Sequence, residues 1–215
     1  MKRLFCHLRH DTVGSSAAEF AMVLPLLIIF LIGIIDVGRL MWTWNEAEKA
    51  TQMGVRFAIV TDPVPSGFAG YDFVGTSSLT QGDVIPTNTY GTMTCTSTAS
   101  SGNTPGTVSC SCTSGTCPWG TAAASGSSSP FRLIYNRMKM FLPQLKDNNV
   151  RVLYKPSGLG FAGDPNGPDA SPIVTVQLTG LSFTPALFQF FRGSITLPDF
   201  SAALTMEDGQ GTASN

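Results

Sequence analysis

The chain has 215 residues, of which 43% are hydrophobic and only 13% are charged, so it is charge-poor for a soluble protein. Its formal net charge of −1 excludes a protein that holds nucleic acid through a global basic field. The histidines are His7 and His10 alone, so a chain that loses its first residues keeps none for a catalytic triad or a histidine-based metal site. We therefore expect no enzyme activity, no cofactor and no metal.

The N-terminus combines a short basic segment with a long apolar one. Residues 1–14 contain three basic residues and one acidic residue, and residues 17–35 contain a single charge. As a helix, residues 17–35 would span about 28 Å, close to the hydrocarbon thickness of a bilayer. The positive-inside rule predicts that the basic end stays in the cytoplasm and that the long C-terminal part crosses. A cleaved secretory signal peptide is the alternative, but no small-residue cleavage site follows the apolar run.

Glu19 is the single charge in the apolar run, where a carboxylate is costly and marks a candidate functional residue. It is the fifth residue after Gly14, so a cut between Gly14 and Ser15 would create an ammonium group one helical turn away from it. Such a charge pair lowers the free-energy cost of holding either charge in apolar surroundings. In a filament, the ammonium could come from a neighbouring subunit. A snorkelling residue at the interface is the alternative interpretation.

A basic leader, Gly14, four residues, Glu19-Phe20 and an immediate apolar helix resemble a class III prepilin signal. The segments Leu24-Pro25-Leu26-Leu27 and Asp36-x-x-Arg39 make the stretch from residue 14 to residue 60 similar to the TadE-like family, the pseudopilins of the tight-adherence (Flp pilus) secretion system. Major pilins of this system usually carry tyrosine where Phe20 stands. The resemblance therefore implies a minor pseudopilin of a type IV-like pilus.

By this resemblance, a prepilin peptidase cuts between Gly14 and Ser15, and Glu19 with Phe20 guides processing or assembly. The implied partners are the peptidase, other pseudopilins, the pilus assembly platform with its ATPase, and inner-membrane lipid, without nucleic acid. The implied location is the bacterial inner membrane, in a single pass with a cytoplasmic N-terminus and a periplasmic head, or a surface pilus after assembly. A membrane-anchored extracytoplasmic binding module that forms no filament is the alternative function.

Residues 37–60 continue the helix as a stalk, because one set of residues recurs every three or four positions: Leu40, Trp44, Ala47, Thr51, Val55 and Ala58. Thr61-Asp62-Pro63 then ends it, so one helix is predicted over about 16–60. Asp36 and Arg39 are three residues apart and can pair at the membrane interface. That pair is either an anchor or a contact between subunits.

Residues 76–129 are rich in Ser, Thr and Gly, which predicts a weakly structured insertion or short strands and turns. Four cysteines lie in this insertion and would form disulfides on the extracytoplasmic side: Cys95, Cys110, Cys112 and Cys117. A bridge between Cys110 and Cys112 would close a very tight ring, which leaves two nested or crossed bridges within 95–117. A four-cysteine zinc site is the weaker alternative, because the spacing lacks the usual pairs.

The C-terminal half alternates between one helical pattern and several strand patterns. Ser129-Pro130 begins a helix that continues to about residue 142, with Arg132, Arg137 and Lys139 predicted on its solvated surface. Alternating β-branched runs predict strands at residues 150–154, 173–178, 194–197 and 200–206. The apolar run 183–191 is either a short helix that covers the sheet or a membrane contact.

The predicted fold class is α+β: a long N-terminal transmembrane and stalk helix, then a small antiparallel-sheet head with one packed helix and a disulfide-stapled loop region. The predicted segments are a leader (1–14), a transmembrane helix (15–36), a stalk (37–60), an extracytoplasmic head (61–206, with 76–129 as an insertion) and a flexible tail (207–215). The Asp- and Asn-containing stretch 163–169 is predicted as a turn, with a calcium loop as the weaker alternative.

Overall fold

The computed structural model describes residues 13–102, 104–165, 167–186 and 193–206. The predictions for the first twelve residues of the leader, for the apolar run from residue 187 onward and for the tail lie outside these residues.

Helix α1 is a single element from Val13–Ala58, 46 residues long. At 1.5 Å per residue this corresponds to about 69 Å. The prediction of one continuous helix over about 16–60 is confirmed, and Pro25 lies inside it. Within the described part of the chain, α1 is the one helix long and apolar enough to cross a membrane.

The head contains a five-stranded antiparallel sheet in the order β2-β1-β3-β4-β7. Its strands are β1 (Thr92–Ser97), β2 (Val108–Ser114), β3 (Val150–Lys155), β4 (Ile173–Leu178) and β7 (Phe200–Thr205). Two short strands, β5 (Ser182–Phe183) and β6 (Ile195–Thr196), form a separate sheet. Helix α2 covers Pro130–Lys139 and begins with proline at its N-terminus, as predicted.

The predicted strands at 150–154, 173–178 and 200–206 are confirmed within one residue, whereas the run 194–197 contributes only β6 of the small sheet. The Ser/Thr/Gly-rich region does contain the predicted short strands. They are β1 and β2, so this region supplies two of the five strands of the main sheet. Residues alternate between half-buried and buried along β1, which places Met93 and Cys95 in the core.

Two disulfides close this region, Cys95–Cys110 and Cys112–Cys117. The bridges follow one another along the chain, so the expected nested or crossed arrangement is wrong. The cause is the strand register, because Cys95 of β1 faces Cys110 of β2 directly. Cys112 then pairs with the cysteine of the turn that follows β2.

The C-terminal part of α1 is a core element of the head, since α1 from Thr43 onward belongs to the same compact unit as the main sheet. Four of the side chains that the stalk spacing places on one face are buried there: Ala47, Thr51, Val55 and Ala58. Gly54 lies on this buried side, and a Cβ atom added to it would stand 2.7 Å from Met138 Cγ and 3.3 Å from Val176 Cγ1. Glycine therefore allows α1 to approach α2 and β4 closely.

An aromatic cluster holds the long connection between α1 and β1 against the head: Phe68, Tyr71, Phe73, Tyr90 and Trp119. Their ring centroids are 4.8 to 6.4 Å apart, mostly in edge-to-face geometry. Tyr154 of β3 extends the cluster, and its hydroxyl accepts the Val64 N–H at 3.0 Å. Burial raises the pKa of Tyr90 and of Tyr154, so both phenols stay neutral.

Arg132 was predicted on a solvated face, and this prediction is wrong. The side chain is buried and pairs with Asp147, with 2.8 Å between Nη1 and Oδ1. A helical spacing shows which side of α2 faces the sheet, but it does not reveal a buried acidic partner 15 residues further along. Lys139 is exposed and Arg137 is half-buried.

Candidate assembly site on the N-terminal helix

Gly14 and Ser15 lie in the first turn of α1. Their backbone is helical, and their side chains are outside the described part of the structure. The first four N–H groups of a helix have no acceptor within it, so this turn is held less firmly than the turns that follow. Their use as a cleavage site remains a prediction.

Glu19 and Phe20 follow on exposed positions of the helix. From Phe20 to Val37 the helix exposes a nearly continuous apolar surface that includes Met22, Leu26, Phe30, Ile34 and Ile35. A surface of this size is stable only when lipid or other helices cover it. Glu19 is therefore a carboxylate at the edge of a surface that must be buried.

Asp36 stands at the C-terminal end of this apolar surface, and its side chain is buried. Its Oδ1 atom accepts a hydrogen bond from the Ala186 N–H at 2.8 Å and lies 3.2 Å from Arg39 Nη1. The Arg39 guanidinium also stands 5.5 Å from the centroid of the Phe183 ring. The two charges of the predicted interface pair are thus in contact, and a segment 150 residues away shares the contact.

The bond between Ala186 and Asp36 is the part of this site that the sequence does not reveal. A backbone N–H is present at almost every residue, so no residue type marks the donor. The one available signal is Asp36 itself, because a carboxylate beside a membrane-length apolar run needs hydrogen-bond donors around it.

Asp169 lies at the end of the stretch 163–169, which was predicted as a turn. The Asp169 carboxylate accepts three backbone N–H groups, from Phe73 and Gly163 at 2.8 Å and from Asp164 at 3.0 Å. This is the geometry of a carboxylate that organises a turn. Among the residues that the structure describes, no group of three His, Cys, Asp or Glu residues is placed to hold a metal ion.

The chain thus combines one apolar helix long enough to cross a membrane with an α+β head that includes the C-terminal part of this helix. Residues 14–56 match the family model of TadE-like proteins, so this segment of the chain is similar to theirs. The match covers about a fifth of the chain, and TadE-like proteins are a family of pilus components. No curated protein and no solved structure matches the chain.

Proposed function

We propose that the protein is a minor pseudopilin, cut by a prepilin peptidase between Gly14 and Ser15 and then used to assemble a tight-adherence pilus or secretion machine. The observation that carries the proposal is the TadE-like match at residues 14–56, which coincides with the apolar helix and its Glu19. In this proposal, residues 15–36 span the inner membrane, residues 37–60 form the stalk, and residues 61–206 form the periplasmic head.

Electrostatics supports a role for Glu19 in assembly. A cut after Gly14 leaves a charged amino group on Ser15, one helical turn from the Glu19 carboxylate. Either charge alone is unfavourable in an apolar setting, and a pair within one subunit or between two neighbours reduces that cost. The apolar surface from Phe20 to Val37 would be covered by lipid before assembly and by neighbouring helices afterwards.

The orientation follows from charge, since the short N-terminal segment is basic and short basic segments stay in the cytoplasm. The two disulfides support a periplasmic head, because such bonds persist in oxidising compartments. Partners in this proposal are the prepilin peptidase, other pseudopilins and the assembly platform with its ATPase. They interact with the helix and its leader.

The test determines the mature N-terminus of the full-length protein, purified from membranes with and without the prepilin peptidase. A start at Ser15 that depends on the peptidase is the expected result. An intact Met1, or a cut beyond Gly38, would contradict the proposal and favour an anchored or secreted binding module.

A second experiment tests the role of Glu19 in assembly. Glu19→Ala should insert into the membrane normally and fail to support pilus formation, whereas Glu48→Ala, on the same helix beyond the apolar surface, should support it. Normal pili in the Glu19→Ala strain would remove the proposed role of this carboxylate.

A further inference from the structure

A polar groove of about 260 Å³ lies between α2 and the connection that joins β1 to β2, and we call it the α2 groove. Four side chains on one face of α2 line it, because they follow one another at intervals of three, one and three residues: Arg132, Tyr135, Asn136 and Lys139. Ser100, Ser127 and Asp147 line it from other segments. Pockets for drug-sized ligands measure roughly 300–1,000 Å³, so the α2 groove suits a smaller, polar group.

The charged side chains of the α2 groove carry a net positive charge. Arg132 and Asp147 form the buried ion pair, in which each charge compensates the other. The Lys139 ammonium is exposed and forms no hydrogen bond or ion pair with any residue in the described part of the chain. Asp147 is the one carboxylate among the described residues that line the groove, so the two cations and this carboxylate leave a charge of +1.

The uncharged polar groups of the α2 groove also have capacity for a ligand. Asp147 offers no free oxygen, because Oδ1 pairs with Arg132 and Oδ2 accepts a backbone N–H. The side chains of Asn136, Ser100 and Ser127 form no hydrogen bond with the residues that the structure describes. An amide group and two hydroxyl groups can therefore donate hydrogen bonds beside the Lys139 ammonium. Free donors together with a positive charge favour an anion.

We propose that the α2 groove binds a phosphate group, carried by inorganic phosphate or by a small phosphate ester such as a lipid headgroup. Phosphate oxygens point to the corners of a tetrahedron, so they can accept donors from several directions, whereas a carboxylate is planar. The donors of the groove come from three segments, which are α2, the connection between β1 and β2, and the residues before α2. Lys139 would supply the charge, as lysine does in other phosphate sites. The proposal goes beyond the TadE-like match, which ends at residue 56.

The test titrates the full-length protein, in an uncharged detergent without phosphate, with inorganic phosphate, glycerol phosphate and acetate. Isothermal titration calorimetry in excess chloride should show saturable binding of one phosphate group per chain. Acetate should bind about tenfold more weakly, because phosphate carries more charge and more acceptor oxygens. Tighter binding of glycerol phosphate would identify an ester as the source, and tighter binding of inorganic phosphate would identify the free ion. Binding that never saturates, or acetate that binds as tightly as phosphate, would overturn the proposal.

Three variants separate a binding site from simple attraction between charges. Lys139→Gln should weaken phosphate binding by about tenfold or more, because it removes a charged hydrogen bond. Arg137→Gln makes the same charge change on the same helix but outside the groove, and should weaken binding by about twofold or less. Asn136→Ala keeps the charge and should still weaken binding by about threefold or more, because it removes a directed donor.

The three variants should keep the fold, since Asn136 and Lys139 are exposed and Arg137 is half-buried. Equal losses of affinity in Lys139→Gln and Arg137→Gln would overturn the proposal. Wild-type affinity in Asn136→Ala would also overturn it, because attraction between charges alone would then explain the binding.

Discussion

The Arg132 guanidinium lies 2.8 Å from the Asp147 carboxylate, and these side chains are only 7% and 4% exposed. Gly106 joins both of them, because its N–H donates to Asp147 at 3.0 Å and its carbonyl accepts from Arg132. Arg132 also donates to the Ser97 hydroxyl at 3.2 Å. The pair therefore fastens the connection between β1 and β2 to α2 and to the turn before β3.

Arg132→Ala should destabilise the head strongly, because it leaves the Asp147 carboxylate buried without its partner charge. Removing one member of a buried ion pair costs about 3–5 kcal/mol. The measurement is the denaturant midpoint of the full-length protein in detergent. Arg137→Ala, on the same helix, is the control and should change stability by about 0.5 kcal/mol or less. Equal midpoints for the two variants would contradict the role assigned to the pair.

The same pair predicts how stability changes with acid. Burial alone would raise the pKa of Asp147, but the Gly106 N–H and the Arg132 guanidinium hold it below the ordinary value of 3.8. A pKa that is lower in the folded state contributes stability above the unfolded pKa, and this contribution is lost as pH falls through the folded pKa. The wild type should therefore lose stability below about pH 4, and Asp147→Asn should lose less over the same range. Parallel pH profiles of the denaturant midpoint would refute this.

The two disulfides should differ in how readily they are reduced. Cys95 and Cys110 are buried between β1 and β2, whereas Cys112 and Cys117 are partly exposed. Mild reductant should open Cys112–Cys117 first, because thiol–disulfide exchange requires access to the sulfur. Trp119, two residues further on, should then become more mobile, while the protein stays in the membrane.

Differential alkylation with mass spectrometry measures the order of reduction, and limited proteolysis monitors the turn after β2. The double variant Cys112→Ser and Cys117→Ser is the matched control, since it should already show the loosened turn without reductant. Simultaneous reduction of both bridges, or a turn that keeps its protease resistance after its bridge opens, would contradict the prediction.

Replacement by alanine should change the stability of the protein differently at two glycines of α1, Gly54 and Gly38. A Cβ atom at Gly54 would stand 2.7 Å from Met138 Cγ, so Gly54→Ala should destabilise the head by about 1–3 kcal/mol through overpacking. Gly38 has nothing within 4 Å of such an atom, so Gly38→Ala should be neutral or slightly stabilising through helix propensity. Thermal unfolding of both variants provides the comparison, and a neutral Gly54→Ala would show that Met138 can move aside.

Asp36 provides a test of the contact with the segment around Ala186. Asp36→Ala removes the acceptor of the Ala186 N–H, so this amide should exchange its hydrogen with solvent faster. Asp36→Asn keeps a carbonyl oxygen in nearly the same place and should retain much of the protection. Hydrogen exchange with mass spectrometry on the peptide that contains Ala186 makes the measurement. Unchanged exchange in Asp36→Ala would mean that the bond adds nothing to the stability of this segment.

The elements with a strong local pattern were predictable from the sequence. The apolar run and the three-to-four spacing from Leu40 to Ala58 predict α1, and alternating β-branched residues predict β3, β4 and β7. The strands β1 and β2 consist mostly of Ser, Thr and Cys. The conformational preferences of these residues taken together do not separate strands from turns. Their place in the sheet depends on the pairing of β1 with β3, a long-range contact that no local window records, and β2 joins the sheet through β1.

In the candidate site, too, residues with a local sequence signal were predictable and residues that act through long-range contacts were not. The contact between Asp36 and Arg39 was predictable because charges beside a membrane-length apolar run are rare, whereas the role of Glu19 stays a prediction. The third member of the Asp36 contact was missed because a backbone donor has no residue signature. Arg132 was misplaced because amphipathic spacing treats every charge as solvated, whereas a paired guanidinium can lie inside a core.

From Thr43 onward, α1 forms one wall of the core of the head. A soluble version of the head must retain the helix from Thr43 onward, or it loses Ala47, Thr51, Val55 and Ala58 from its interior.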